Sequence, residues 1–170
     1  IYEQVTIASV SATNAQCAGQ SNGVITVNAT GGSGNYQYSI NNGTTWQASN
    51  TFTGLSAGSY TVLVRDPGSC YEPVSAAATI GEPQPIVANA GSDVSICSGT
   101  STQLNGTGGV LYSWSPATGL SNPSIANPVA SPAATTTYTL TVTNASGQCA
   151  STDQVIVTVN PSPVITVNPA

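Results

Sequence analysis

"TYTLTVTNASGQC", residues 137–149, alternates threonine with a large apolar residue for seven positions, then breaks into Asn-Ala-Ser-Gly before a cysteine. A period of two places Tyr138, Leu140 and Val142 on one face and Thr137, Thr139, Thr141 and Thr143 on the other, which predicts a half-buried antiparallel strand. The β-branch of threonine suits the pleat, and the small polar residues that follow supply a turn. A face made only of hydroxyls raises the question of a working surface for ice, sugar or mineral. Such a surface needs the row repeated on adjacent strands, and the neighbouring strand signals do not repeat it. The expectation is the wet side of an ordinary sandwich strand.

The same alternation recurs along the chain. Tyr36, Tyr38 and Ile40 share a face, as do Tyr60, Val62 and Val64, then Val110, Tyr112 and Trp114, then Val155, Val157 and Val159. Between these runs lie "GGSG", "NNG", "SAG", "DPG" and "ASG", which furnish turns. No stretch has a 3.6-residue period. The fold expected is all-β, two tandem immunoglobulin-like β-sandwich modules.

The two modules are written on one plan. Cys17 and Cys70 are 53 residues apart, Cys97 and Cys149 are 52 apart, and each second cysteine precedes a last apolar strand, 74–80 or 154–159. Repeats of this kind set the domain map: a module over 1–82, a proline-containing linker over 83–88 and a second module over 89–160. Residues 161–170 read as a linker and the first strand of a following module. The chain opens without Met or a signal segment, so it reads as an excerpt of a longer string.

Composition removes several functions. Of 170 residues only 4% are charged, with one cation, Arg65, and no histidine or lysine, for a net charge of −5. Nucleic-acid binding needs clustered Lys and Arg and is excluded. No apolar run reaches the roughly 18 residues that span a bilayer, so membrane insertion is not expected. No nucleophile–base–acid set can be assembled, and the chain is not expected to be an enzyme. Four cysteines without any C-x₂-C pair disfavour zinc and favour disulfides in an oxidising, extracellular setting.

The candidate sites are few. Disulfides Cys17–Cys70 and Cys97–Cys149 are the natural pairs within each module, with a cross-module bond between Cys70 and Cys97 as the alternative. The within-module pairs meet a difficulty: in a strict immunoglobulin order the two partners fall at opposite ends of a sandwich. Trp46, in "NNGTTWQASN", is the candidate for stacking on surface glycans, whereas Trp114 reads as core. Asp66 with Glu72, and Asp93 with Asp153, are the acids that could hold calcium through loop oxygens. Asp66 in "RDPG" reads equally as a turn residue. The sequons at Asn28, Asn42, Asn105 and Asn144 carry little weight in so Thr- and Ser-rich a chain.

Residues 17–72 carry C-x-G-x-x-x-G at Cys17, G-G-x-G-x-Y-x-Y-S-I from Gly31, L-x-x-G-x-Y-T-V from Leu55 and D-x-x-x-C from Asp66. This resembles the repeat of the SprB gliding-motility adhesins of Bacteroidota. Residues 89–160 resemble the PKD-like, immunoglobulin-like modules of the same bacteria's large surface proteins, with "WSPATG" where W-D-F-G-D-G is usual. The resemblance implies display outside the cell by type IX secretion, no catalytic residues, and a structural or adhesive part in a large surface protein or filament. Partners would be neighbouring modules or identical subunits, and surface glycans. A carbohydrate-binding module is one alternative. Another is a filament subunit whose terminal strands, "YEQVTIASV" and "VITVNPA", complete a neighbour's sheet.

Overall fold

A computed structural model describes residues 3–162. The chain divides into two compact units at Pro85/Ile86. All regular elements among the described residues are strands.

Unit 1 contains β1 (Thr6–Thr13), β2 (Gly23–Thr30), β3 (Gln37–Ser39), β4 (Thr51–Leu55), β5 (Gly58–Arg65) and β6 (Val74–Ile80). They form two antiparallel three-stranded sheets, ordered β1-β2-β4 and β3-β5-β6. Alternation decides which side chains face inward. Ile25 and Val27 of β2, and Val62 and Val64 of β5, are fully buried and meet Tyr38, Phe52 and Ile80 between the sheets. Burying each such aliphatic side chain contributes about 1.5–3 kcal/mol.

Unit 2 contains β7 (Val94–Cys97), β8 (Thr102–Gln103), β9 (Leu111–Ser115), β10 (Val129–Ala130), β11 (Thr136–Thr143) and β12 (Ala150–Asn160). A four-stranded sheet runs β7-β12-β11-β9, with β7 parallel to β12, and β8 pairs with β10 in a second sheet. Tyr138, Leu140 and Val142 of β11 are completely buried, as is Val157 of β12. Trp114 is 2% exposed and its indole Nε1 donates to the Ile125 carbonyl at 3.0 Å. The Tyr138 hydroxyl donates to the Thr118 carbonyl at 2.9 Å, so the polar atoms of both large aromatics are satisfied inside the core.

The threonine row on β11 is the outward face. Across it sit Ile156, Gln154, Thr152 and Ala150 of β12 and Ser115, Ser113 and Leu111 of β9. Apolar and amide side chains interrupt the hydroxyls, so no regular two-dimensional array forms. One strand expectation needs correction. Val110 does not join Tyr112 and Trp114 inside: it is 63% exposed, because β9 begins at Leu111 and Val110 lies on the rim, its N–H bonded to the Thr143 carbonyl at 2.8 Å.

Each unit has an end where the chain enters and an end where it leaves. In unit 1 the entry end is marked by the Gly32 N–H donating to the Glu3 carbonyl at 3.0 Å. Its exit end is closed by Ala15 N–H to Gly81 O at 2.9 Å, Gly81 N–H to Asn14 Oδ1 at 2.8 Å and Gly19 N–H to Glu82 Oε2 at 2.6 Å. In unit 2 the incoming segment lies along the start of β12. There Ala88 N–H donates to Ser151 Oγ at 3.0 Å and Ala90 N–H to Asp153 Oδ2 at 2.8 Å. Further along, Ile156 N–H donates to Asp93 Oδ1 at 2.8 Å. Side chains thus replace carbonyls as acceptors until the regular β7–β12 ladder begins at Val94. Gly108 is required here: its φ is +104°, and a Cβ would strike the Val87 carbonyl.

β1 pairs with β2 within its own unit from Thr6 opposite Thr30 to Thr13 opposite Val24, with a register shift between Ile7 and Ser9. The N-terminal strand imagined as a donor to a neighbour's sheet therefore has its partner in cis. The other imagined donor, "VITVNPA" (164–170), lies outside the described residues.

Candidate functional site

Arg65, the one cation of the chain, ends β5 beside β3, where its Nε donates to Gln37 Oε1 at 2.9 Å. The guanidinium carbon lies 4.2 Å from the ring centroid of Trp46, a cation–π stack. Gly43 sits against the same indole, with a Cβ there meeting its Cζ2 at 3.3 Å. Trp46 is half-buried, with the guanidinium laid over its ring. A sugar would have to displace Arg65 to stack on that face. The contact joins residues 19 apart and was not visible in the sequence, although a lone arginine among aromatics is a usable hint.

Next in the chain, Asp66 is 3% exposed. Its carboxylate accepts from Ser33 N–H at 2.5 Å and Ser33 Oγ at 2.9 Å, and from Gly68 N–H at 3.0 Å. These bonds, Ser33's two first and Gly68's after them, hold the carboxyl below the usual carboxylate range against the opposing effect of burial. Asp66 thus ties the "GGSG" turn of residues 31–34 to its own β5–β6 turn. Gly32, at φ +60°, leaves room for it: a Cβ would fall 2.6 Å from Asp66 Oδ2. Arg65, Asp66, Pro67, Ser69, Tyr71, Glu72 and Pro73 border an open cleft of about 470 Å³ at the entry end of unit 1.

The acids paired on paper have other duties. Asp66 and Glu72 both border the cleft, but Asp66 is saturated by amide and hydroxyl donors. Asp93 and Asp153 lie on neighbouring segments, each accepting a backbone N–H of the other's segment. Ala90 N–H first, and Gln154 N–H second, hold the Asp153 carboxyl low against burial. No group of three or more His, Cys, Asp or Glu side chains suited to a metal occurs among the described residues.

The cysteines are arranged differently from the expected pairs. Cys70 and Cys97 are exposed free thiols, and Cys17 and Cys149 are disulfide-bonded. The reason lies within each unit. Cys97 is opposite Asn160 at the end of β12, whereas Cys149 immediately precedes its start. The eleven residues of that strand span about 33 Å. In unit 1 Cys17 lies at the Gly81 end and Cys70 in the β5–β6 turn, separated by the length of β5, about 23 Å for its eight residues. A disulfide holds its Cα atoms within about 7 Å. Bonds 17–70 and 97–149 are therefore barred by the strands themselves, and the alternative 70–97 bond is likewise not formed. Each unit carries one cysteine at its exit end, Cys17 or Cys97, and one at its entry end, Cys70 or Cys149.

Asn144 fixes the Cys149 loop. Its Oδ1 accepts from Ser146 Oγ at 2.9 Å and Gln148 N–H at 3.0 Å, and its Nδ2 approaches Cys149 Sγ at 3.3 Å. This sequon asparagine is engaged in the fold.

With this geometry in hand, the family model described as the SprB repeat matches residues 9–45, from β1 through β3. This segment of unit 1 is similar to the SprB repeat. The matched segment includes Cys17 and the "GGSG" turn that Asp66 clamps, and it stops one residue before Trp46. No curated protein matches the chain. Among solved structures, the chain is similar to the fibronectin(III)-like modules of Clostridium thermocellum CbhA, at 11% identity and TM-score 0.38, covering 98% of this chain and 99% of that one. It is similar to S-layer protein SbsC domains 4 and 5 at 13% identity and TM-score 0.36, covering 90% and 98%. Sidekick-1 immunoglobulin domains 1–5 match at 14% identity and TM-score 0.39, over 94% of this chain and 40% of that one. No helix among the described residues is long and apolar enough to cross a membrane.

Proposed function

We propose that the chain is a non-catalytic structural and adhesive segment of a large secreted bacterial surface protein, displayed outside the cell through type IX secretion. The observation that carries this reading is the similarity of residues 9–45 to the SprB repeat, set in a chain of two sandwich units. The near absence of charge and the single arginine suit a surface exposed to proteases, because trypsin has one cleavage site. The work done is mechanical: two packed units in series transmit load and hold their polar outer faces toward the surroundings. Arg65 covering the Trp46 ring makes glycan stacking there the weaker reading.

The test uses the native producer cells. Antibodies raised against the chain should label intact cells, and deleting residues 3–162 from the parent protein should reduce surface attachment or gliding while secretion continues. Labelling that appears only after permeabilisation would exclude display.

A further inference from the structure

We propose that the cleft bordered by Arg65, Ser69, Tyr71 and Glu72 in unit 1 binds an acidic sugar, a uronate residue of an extracellular polysaccharide. The inference rests on the adhesive reading above and names the class of ligand that unit 1 would hold.

The first observation is the state of Arg65. Its side chain is fixed at two points, by the Nε bond to Gln37 Oε1 at 2.9 Å and by the stack on Trp46 at 4.2 Å. Neither contact occupies the N–H groups of Nη1 and Nη2. No carboxylate among the described residues forms an ion pair with the guanidinium. The one cation in a chain of net charge −5 is thus held in place with its terminal donors still available. A guanidinium oriented in advance matches a carboxylate through paired N–H···O bonds, and loses less freedom on binding than a mobile side chain.

The second, independent observation is the wall around it. The cleft measures about 470 Å³, within the range of small-molecule sites. Its turn is ordered by Asp66: Gly68 N–H donates to Oδ1 at 3.0 Å and Ser69 N–H to the Asp66 carbonyl at 3.0 Å. Tyr71 N–H then donates to Ser69 Oγ at 3.3 Å. The Asp66 oxygens are taken up by Ser33 and Gly68, so this carboxylate does not engage Arg65. Tyr71 is 48% exposed and presents an apolar ring with a polar tip, a surface on which the C–H face of a pyranose can stack. Glu72 is exposed and its carboxylate has no hydrogen bond among the described residues, which leaves it an acceptor for sugar hydroxyls.

Together these side chains select the ligand. A simple anion would leave Tyr71 unused and would bring Glu72 no donor. A neutral sugar would leave the guanidinium fork unpaired. A uronate uses the whole set, with its carboxylate on Arg65, its ring on Tyr71 and its hydroxyls toward Glu72 and Ser69.

The test is titration of the folded chain with trigalacturonate, with galactotriose as the neutral counterpart and a Glu-rich peptide as the acidic non-sugar. Because Arg65 lies on the Trp46 ring, trigalacturonate should shift Trp46 emission saturably, and added salt should weaken its binding. Galactotriose should bind about tenfold more weakly or worse, for want of the charge-assisted bonds. Calorimetry reads the variants. Arg65→Gln should weaken trigalacturonate binding by about tenfold or more, and Tyr71→Ala by about fivefold. Tyr71 is exposed, and fluorescence melts establish that both variants are folded. Four results would overturn the proposal: no saturable response to trigalacturonate, equal affinity for galactotriose, a Glu-rich peptide that binds as tightly, or a folded Y71A or R65Q with wild-type affinity. Absence of binding with surface labelling intact would remove the ligand and leave the display reading standing. Binding without surface labelling would do the reverse.

Discussion

Replacing Leu140 tests the strand assignment on which unit 2 depends. Leu140 has no exposed surface and lies across from Trp114 in the register of β11 and β9. Its Cδ2 and the Trp114 ring also bound the space over Gly106, so three elements close around it and the site has little freedom to collapse. Truncation to alanine then loses both the transfer free energy and the contacts across the cavity, about 3 kcal/mol or more. For a domain of this size each kcal/mol is worth about 4–8 °C, giving a fall of about 12–24 °C in the unit 2 transition. The next residue is the control: Thr141 sits on the outer face, and Thr141→Ala should cost under about 1 kcal/mol. Each unit contains one tryptophan, so the assay is thermal unfolding followed by fluorescence. In a Trp46→Phe background only Trp114 reports. If L140A and T141A shift that transition equally, the inward and outward faces of β11 are wrongly assigned.

Further predictions concern the entry-end clamp and the acids. Gly32→Ala places a Cβ 2.6 Å from Asp66 Oδ2 at φ +60°. The left-handed backbone alone should cost unit 1 about 1–2 kcal/mol, and an unchanged urea midpoint would contradict it. Asp66 and Asp153 are both depressed below 3.8 in the folded chain. Their stabilisation is therefore fully present above that value and is lost as pH falls through the lower folded values. D66N should flatten the acid limb of the Trp46-monitored stability curve, and D153N that of Trp114; curves that keep their wild-type acid slope would refute the clamps. Added calcium should leave both transitions in place, because backbone amides already occupy Asp66, Asp93 and Asp153; a rise with millimolar calcium would contradict this. Arg65→Ala should change Trp46 emission while lowering stability by about 1 kcal/mol or less. Unaltered emission would deny the stack.

What the sequence disclosed is governed by how local the signal is. The alternation at Tyr138, Leu140 and Val142, and at Val62 and Val64, is a property of adjacent residues, and burial follows it directly. Val110 obeyed the same period and still lies outside, because the strand starts one residue later and the period says nothing about where pairing ends. The cysteines show the limit more sharply. Their near-equal spacings mark equivalent positions in two modules, yet equivalence in sequence carries no information on distance. Only the strand topology puts Cys97 and Cys149 at opposite ends of β12. The Arg65–Trp46 stack and the Asp66–Ser33 clamp are contacts across sheets and turns. Each residue on its own read as an exposed aromatic or a turn former.

Each unit carries one cysteine at its entry end and one at its exit end, the exposed pair free and the other pair oxidised. Differential alkylation of the folded, non-reduced monomer, followed by digestion after aromatic residues and mass mapping, tests this most directly. The predicted result is label on Cys70 and Cys97 and none on Cys17 and Cys149 until reductant is added. Protected Cys70 and Cys97, with linked peptides joining 17 to 70 and 97 to 149, would contradict the strand topology itself.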